Sequence, residues 1–202
     1  RAQIEPATFK DGRPLVFSED LASLLSTAHA DALLQSDMKD TWPLIGARGV
    51  AHLRAHFSDL PCAVIVSCGD LDLIVAVREQ LPNLLRGIDP TDKLVELIRR
   101  DGWDGVMADL EADLTGPTAP DTVYLEWHLV LEAQKRGLDL IGPCQRHGAK
   151  VDAWTFTLDD PAGGFSDEEW RDFSALMALR PDQVTTDEAI ATERAWNARM
   201  KR

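Results

Sequence analysis

Apolar and polar residues alternate most clearly between Lys150 and Phe156. Val151, Ala153 and Thr155 fall on one side, and Asp152, Trp154 and Phe156 on the other, a period of two that predicts a strand entering a core. Short apolar runs predict further strands over 30–39, 62–68, 83–89, 103–110 and 138–143, and a last one over 183–188. Helical spacing predicts helices over 17–25, 49–57, 70–81 and 89–100, the last with a stripe of Leu94, Leu97 and Ile98. The run 122–137 is ambiguous at its front, helical behind, and stops at Gly137; a short helix closes at 145–148. Two more helices follow, over 166–179 and after 188. Ser18 is the expected N-cap of the first helix, with Glu19 and Asp20 in its first turn. Ser166 with Glu169, and Thr185 with Glu188, stand at capping-box spacing. Residues 1–13 are polar and irregular.

Strands and helices thus alternate from residue 30 onward, and the strands are mostly short apolar runs, as buried parallel strands are. The fold class is α/β. A (β/α) TIM-type barrel is the first choice, because the polar residues that could do chemistry stand at the C-terminal ends of strands. A doubly wound sheet is the second, although no G-x-G-x-x-G or P-loop follows any strand.

Composition narrows the function classes. A chain of 202 residues, 45% hydrophobic, suits one domain with a sizeable core. The 34 acidic and 21 basic residues leave a net charge of −13, which argues against a nucleic-acid or anionic-membrane surface. It does not exclude a small phosphorylated substrate, since one metal ion reverses the sign locally. No run is long enough to span a bilayer, and the start lacks the apolar core of a signal peptide and an initiating Met. Cys62, Cys68 and Cys144 have no metal spacing; their odd count favours reduced, buried thiols and a cytoplasmic location.

The sharpest chemical candidate is QSDMK. Asp37 and Lys39 are two apart on a strand and point the same way. They read either as a surface ion pair or as a carboxylate for a hard cation beside an ammonium for a phosphate oxygen. Glu126 and His128 share a face if YLEWH is a strand end, and then point into the barrel mouth. His52 and His56 are four apart on one helix face, a metal-capable spacing for which no third ligand is evident, so a solvated or capping role is expected. His147 is expected at a helix end and His29 has no assigned role. Asp109, Glu111 and Asp113 read as a solvated acidic loop or as a divalent-ion site. Trp154 is core packing or a pocket wall. No G-x-S-x-G elbow exists, and Ser67–Cys68 has no nearby His, so serine or cysteine hydrolysis has little support.

Taken in order, several of these pieces resemble the glycerophosphodiester phosphodiesterase family. RPLVFSEDLASLL resembles that family's Pro-Thr-Leu-Glu-Glu-Leu segment. QSDMK resembles its Glu-x-Lys strand, with Asp37 for Glu. SCGD resembles its Ser-Phe-Asp, with Gly69 for Phe. LPNLLRGID resembles its next short strand, and Trp154-Thr155 and Thr186-Asp187 its closing two strands. The matches span residues 14–190. The family's His-Arg-Gly and His-Asp motifs, which supply its acid–base histidines, have no counterpart. Gln3–Glu5 followed by KDG echoes its second strand, with Gln for Glu and with Ser18-Glu19 where His-Asp is usual. The preferred reading sets the first three strands before residue 1, so that this single domain, 1–202, holds roughly the last five βα units.

The resemblance implies an α/β barrel of the phospholipase C-like phosphodiesterase kind, incomplete at its N-terminus. It implies metal-dependent hydrolysis of a glycerophosphodiester to glycerol 3-phosphate and an alcohol, a hydrolase of lipid metabolism. Asp37 is then a ligand of one divalent cation, Mg or Ca, Lys39 a phosphate contact and Trp154 an apolar wall for the alcohol. Glu126 and His128 are the candidate acid–base pair within this chain. The partner is a small-molecule phosphodiester, with no nucleic acid and no membrane span, and the oligomeric state is open. The alternatives are a catalytically dead barrel that binds a ligand or a partner, and a metal-independent protein in which Asp37 and Lys39 merely pair.

Overall fold

The computed structural model describes residues 12–201; the Gln3–Glu5 echo lies outside them. Six strands form one sheet in the order β1-β2-β3-β4-β5-β6, every neighbour parallel. They are β1 (Leu33–Asp37), β2 (Ala63–Cys68), β3 (Leu85–Ile88), β4 (Thr122–Glu126), β5 (Lys150–Trp154) and β6 (Gln183–Val184). The helices are α1 (Ser18–Leu25), α2 (Trp42–Phe57), α3 (Leu71–Gln80), α4 (Thr91–Asp101), α5 (Val106–Thr115), α6 (Trp127–Lys135), α7 (Ile141–Arg146), α8 (Asp167–Ala178) and α9 (Ala189–Met200). Sequential parallel pairing makes an open, six-strand half-barrel, the barrel-type arrangement the alternation predicted, rather than a doubly wound sheet.

The main core lies between the sheet and the helices. Val64, Val66, Ile88, Val123, Leu125, Val151 and Ala153 pack there against Leu53, Leu73, Ile74, Leu94, Leu110 and Leu129. An aromatic cluster closes the far end, where Phe156, leaving β5, meets Phe165 and Phe173 under Trp170 and Trp196. Cys62, Cys68 and Cys144 are free and buried. Burial pushes the Cys144 thiol up to about 12 and raises that of Cys68, so neither is a ready thiolate nucleophile. No helix among the described residues is long and apolar enough to cross a membrane.

Two predicted strands are helices. The run 103–110 is cut short as a strand reading; Val106, Leu110 and Leu114 recur at four-residue spacing and are the buried side of α5. The 138–143 stretch starts α7 because Asp139 Oδ1 accepts from the N–H groups of Ile141 (3.0 Å) and Gly142 (2.8 Å). Pro143 sits in that first turn, where its missing N–H leaves no bond unmade. The ambiguous 122–137 run divides into β4 and α6. The predicted 49–57 helix is the second half of α2, which begins at Trp42 and breaks at Gly46, where φ is 53°.

Caps follow local chemistry only in part. Ser166 and Glu169 form the full reciprocal box at the head of α8. Thr185 and Glu188 do not: the Thr185 hydroxyl donates to Asp152 Oδ2 (2.8 Å), and the Glu188 carboxylate accepts from the Leu158 N–H (3.3 Å). Phe17, not Ser18, stands at the cap of α1, because the Ser18 hydroxyl is turned to His52. Asp70 caps α3 through the N–H groups of Asp72 (2.9 Å) and Leu73 (3.2 Å), and also accepts from the Trp42 N–H (2.9 Å), tying α2 to α3.

Ser166→Ala removes the acceptor at the head of α8 and is expected to lower unfolding free energy by about 1 kcal/mol, read by urea denaturation.

Candidate active site

In-register parallel pairing sends every second residue of each strand to the concave face. Gln35 and Asp37 of β1, Ser67 of β2, Tyr124 of β4 and Trp154 of β5 line one cleft there. Lys39, Asp89, Thr155 and Thr185 complete it from the strand C-terminal ends. Its volume is about 300 Å³. Gly87 of β3 makes room for it: a Cβ at that position would lie 2.5 Å from the Tyr124 ring and 2.8 Å from the Ser67 Cβ.

Asp37 and Lys39 do meet, Nζ to Oδ2 at 2.6 Å. The hydrogen bond that Lys39 donates to this carboxylate raises the pKa of the ammonium and holds the group as a cation. Their side chains are 45% and 83% exposed, and an ion pair so placed contributes little to stability and is easily exchanged for a ligand. The Ser67 hydroxyl lies 3.5 Å from Asp37 Oδ1 and accepts from Gln35 Nε2 at 3.1 Å.

Sequence reasoning placed Asp89 at the end of a strand and the head of a helix, with no chemical role. It does hold the Thr91 N–H at 3.0 Å, but it also lines the cleft. Burial raises its pKa, and the nearby charges of Asp92 and Asp37 add to the rise. Its position one residue past β3 was the available signal, by the strand-end rule applied to Asp37. Asp152 was read only as part of a strand pattern. It is fully buried, with Oδ2 accepting from Thr185 (2.8 Å) and from Gln183, while Oδ1 has no hydrogen-bond partner. Burial raises its pKa too. Trp154 lines the cleft, and its buried indole N–H has no acceptor among the described residues.

Glu126 and His128 are not brought into this cleft. Glu126 ends β4, and its carboxylate turns to cap α6 through the Leu129 N–H (2.8 Å) and to hold the His128 ring. His128 lies on α6, stacked on Trp127, and opens onto a neighbouring recess with Asp159 and Asp172. The strand reading failed there because the chain becomes helical at Trp127, which changes the side-chain period. Asp109 and Asp113 lie on α5 and pair with Lys93, and Glu111 pairs with His147 at the end of α7 (2.6 Å). That acidic run therefore finds partners within the fold, with one lysine shared by two of its carboxylates.

For a divalent cation, the cleft offers hard oxygen donors: the carboxylates of Asp37 and Asp89, the Gln35 amide and the Ser67 hydroxyl. Their chemistry fits Mg or Ca. Two carboxylates at one mouth, one of them already raised in pKa partly by the other, fit a bound cation electrostatically. Among the described residues, however, no group of three ionisable ligand side chains gathers in this cleft.

Asp152→Asn tests the electrostatics of this face. A carboxyl whose folded pKa is raised gives its greatest stability below the unfolded value and loses it as pH rises through the folded one. The variant lacks that loss, so its stability is expected to gain on that of the native chain as pH rises to neutrality. That gain is expected to be lost as pH falls through the carboxylate range; urea titrations at several pH values read it.

No family model matches the sequence, and no curated protein matches it. Solved structures do. A glycerophosphodiester phosphodiesterase from Parabacteroides distasonis aligns with TM-score 0.60 at 14% identity, over 98% of this chain and 71% of its own. A protein from Silicibacter pomeroyi assigned as a glycerophosphoryl diester phosphodiesterase aligns with TM-score 0.55 at 16% identity, over 88% of this chain and 55% of its own. An Oleispira antarctica phosphodiesterase, in complex with sn-glycerol-3-phosphate, aligns more loosely, with TM-score 0.45 at 17% identity over 75% of this chain and 48% of its own. In fold, this chain is a six-strand parallel half-barrel of the glycerophosphodiester phosphodiesterase type.

Proposed function

We propose that the cleft binds a glycerophosphodiester together with one divalent cation and hydrolyses it to glycerol 3-phosphate and an alcohol. The observation that carries this reading is the convergence in one cleft of the Asp37–Lys39 pair, the half-buried Asp89 and Trp154, whose indole N–H has no acceptor among the described residues. A donor without an acceptor and an exposed ammonium lining one cleft suit an anionic oxygen ligand. The likeness in fold to a glycerophosphodiester phosphodiesterase supports the substrate class.

In this reading Asp37, with the Gln35 amide and the Ser67 hydroxyl beside it, would hold the cation, which would neutralise charge on the phosphoryl oxygens. Lys39 contacts a phosphate oxygen and stabilises the charge that grows there as water adds to phosphorus. The bond from phosphorus to the alcohol oxygen breaks, and that oxygen takes up a proton. Trp154 lies against the carbon chain and donates its N–H to an oxygen of the ligand. Two places can supply the proton transfer. One is the Asp89 carboxyl inside the cleft, with its raised pKa; the other is Glu126 with His128 at the adjoining recess.

A second reading has its own support: among the described residues, no histidine lines the cleft. A barrel that binds the phosphate ester without turning it over also fits that observation.

One assay separates the readings. Release of glycerol 3-phosphate from glycerophosphocholine is measured with added Mg or Ca and with chelator. Metal-dependent turnover, reduced by about a hundredfold or more in Asp37→Ala and Lys39→Ala, is the expected result. Loss in Asp89→Asn but not His128→Gln assigns the proton transfer to the cleft, and the reverse assigns it to the recess. Absent turnover with glycerol 3-phosphate binding that needs Asp37 supports the binding barrel. Neither turnover nor binding by the folded chain overturns both.

A further inference from the structure

Away from the cleft, on the other side of β1, a second group of ligand atoms assembles. His52 and His56 lie one turn apart on α2, their ring centroids 4.5 Å from one another. The spacing alone left them without a third donor. Packing of α1 against α2 supplies it: one ligand atom each from Glu19, His52 and His56 lie within 4.8 Å of one another. The Ser18 hydroxyl lies 2.5 Å from His52 Nε2 and 3.3 Å from Glu19 Oε2, adding a further oxygen at the same spot.

We propose that Glu19, His52 and His56 form a binding site for a divalent transition metal, zinc foremost, that clips α1 to α2. Two imidazoles and one carboxylate suit zinc, nickel or copper far better than magnesium or calcium. Zinc takes nitrogen and carboxylate ligands at about 2.0–2.2 Å, so small rotations of these three side chains bring them to bonding distance. A two-His, one-carboxylate zinc site keeps one position for water or another small ligand. Space for it exists. The site opens at His52 and Ser18 onto a recess of about 790 Å³ between α1, β1 and α2, which Arg48 also lines.

The site is separate from the cleft. Ser36 and Met38 line the recess while Asp37 and Lys39 line the cleft, because neighbours along a strand face opposite ways. Its structural purpose follows from how little apolar surface α1 buries. Ala22 is that helix's only buried residue, and Leu24 is 72% exposed. A metal bond across to α2 supplies the hold that apolar burial does not.

The test uses the tag-free chain carrying Asp37→Ala, so that the cleft does not compete for metal. Calorimetric titration with zinc is expected to show one equivalent bound and a raised Tm, with no comparable response to magnesium. Cobalt bound in its place is expected to give the visible absorption of a low-coordinate site. Adding His52→Ala and His56→Ala is expected to weaken binding by far more than about tenfold and to remove the Tm shift. Alanine is the best helix former, so both substitutions suit α2, and circular dichroism verifies the fold. Glu19→Gln, which keeps the shape and removes the charge, is expected to weaken zinc in the same direction. No zinc binding, or zinc binding unchanged in the double histidine variant, overturns the proposal.

Discussion

Register along a parallel sheet is the constraint on which everything else here depends. Asp37 pairs with Ser67, Tyr124 with Asp152 and Glu126 with Trp154. A slip of one residue would exchange faces, sending the carboxylates among the leucines of the helical core and the valines into the cleft. The apolar residues that alternate with the site are therefore part of its chemistry. Val64, Val66, Val151 and Ala153 hold the register by burial, and the register aims the polar groups.

Polar inward positions are expensive, and the fold meets the expense unevenly. Asp152 shares Oδ2 with Gln183 and Thr185, which fastens the two-residue β6 to β5 by side chains where backbone pairing is short. Its second oxygen and the Trp154 indole N–H have no hydrogen-bond partner among the described residues. Buried groups left in that state mark a surface shaped for something other than stability. The contrast with α5 is instructive. There Asp109 and Asp113 share the Lys93 ammonium as ion-pair partners, and Glu111 meets His147, so each carboxylate of that run has a partner within the fold.

The two faces of β1 present different types of ligand atom. The concave face gathers oxygen donors, suited to hard cations. The convex side, under α1, gathers two imidazoles and a carboxylate, suited to borderline ones. Strand alternation thus allows one short segment, Gln35 to Lys39, to border two sites of different preference without sharing a side chain. The excess of acidic residues, which argues against nucleic-acid partners, is no obstacle to either.

By itself the sequence determined the α/β alternation, the parallel character of the strands, the Asp37–Lys39 pair and the box at Ser166 and Glu169. Each rests on residues close in the chain, where period, strand geometry and capping act locally. It could not separate a strand from a helix over 103–110 or 138–143, because short apolar runs satisfy both periods until packing chooses between them. Nor did it find the third ligand beside His52 and His56, since Glu19 lies far off along the chain and arrives only when α1 packs on α2. The tertiary structure also turned Glu126 from a candidate in the barrel mouth into the cap of α6, and brought Asp89 and Asp152 to the concave face. Those assignments depend on which strands neighbour one another, and long-range pairing is what a linear pattern does not contain.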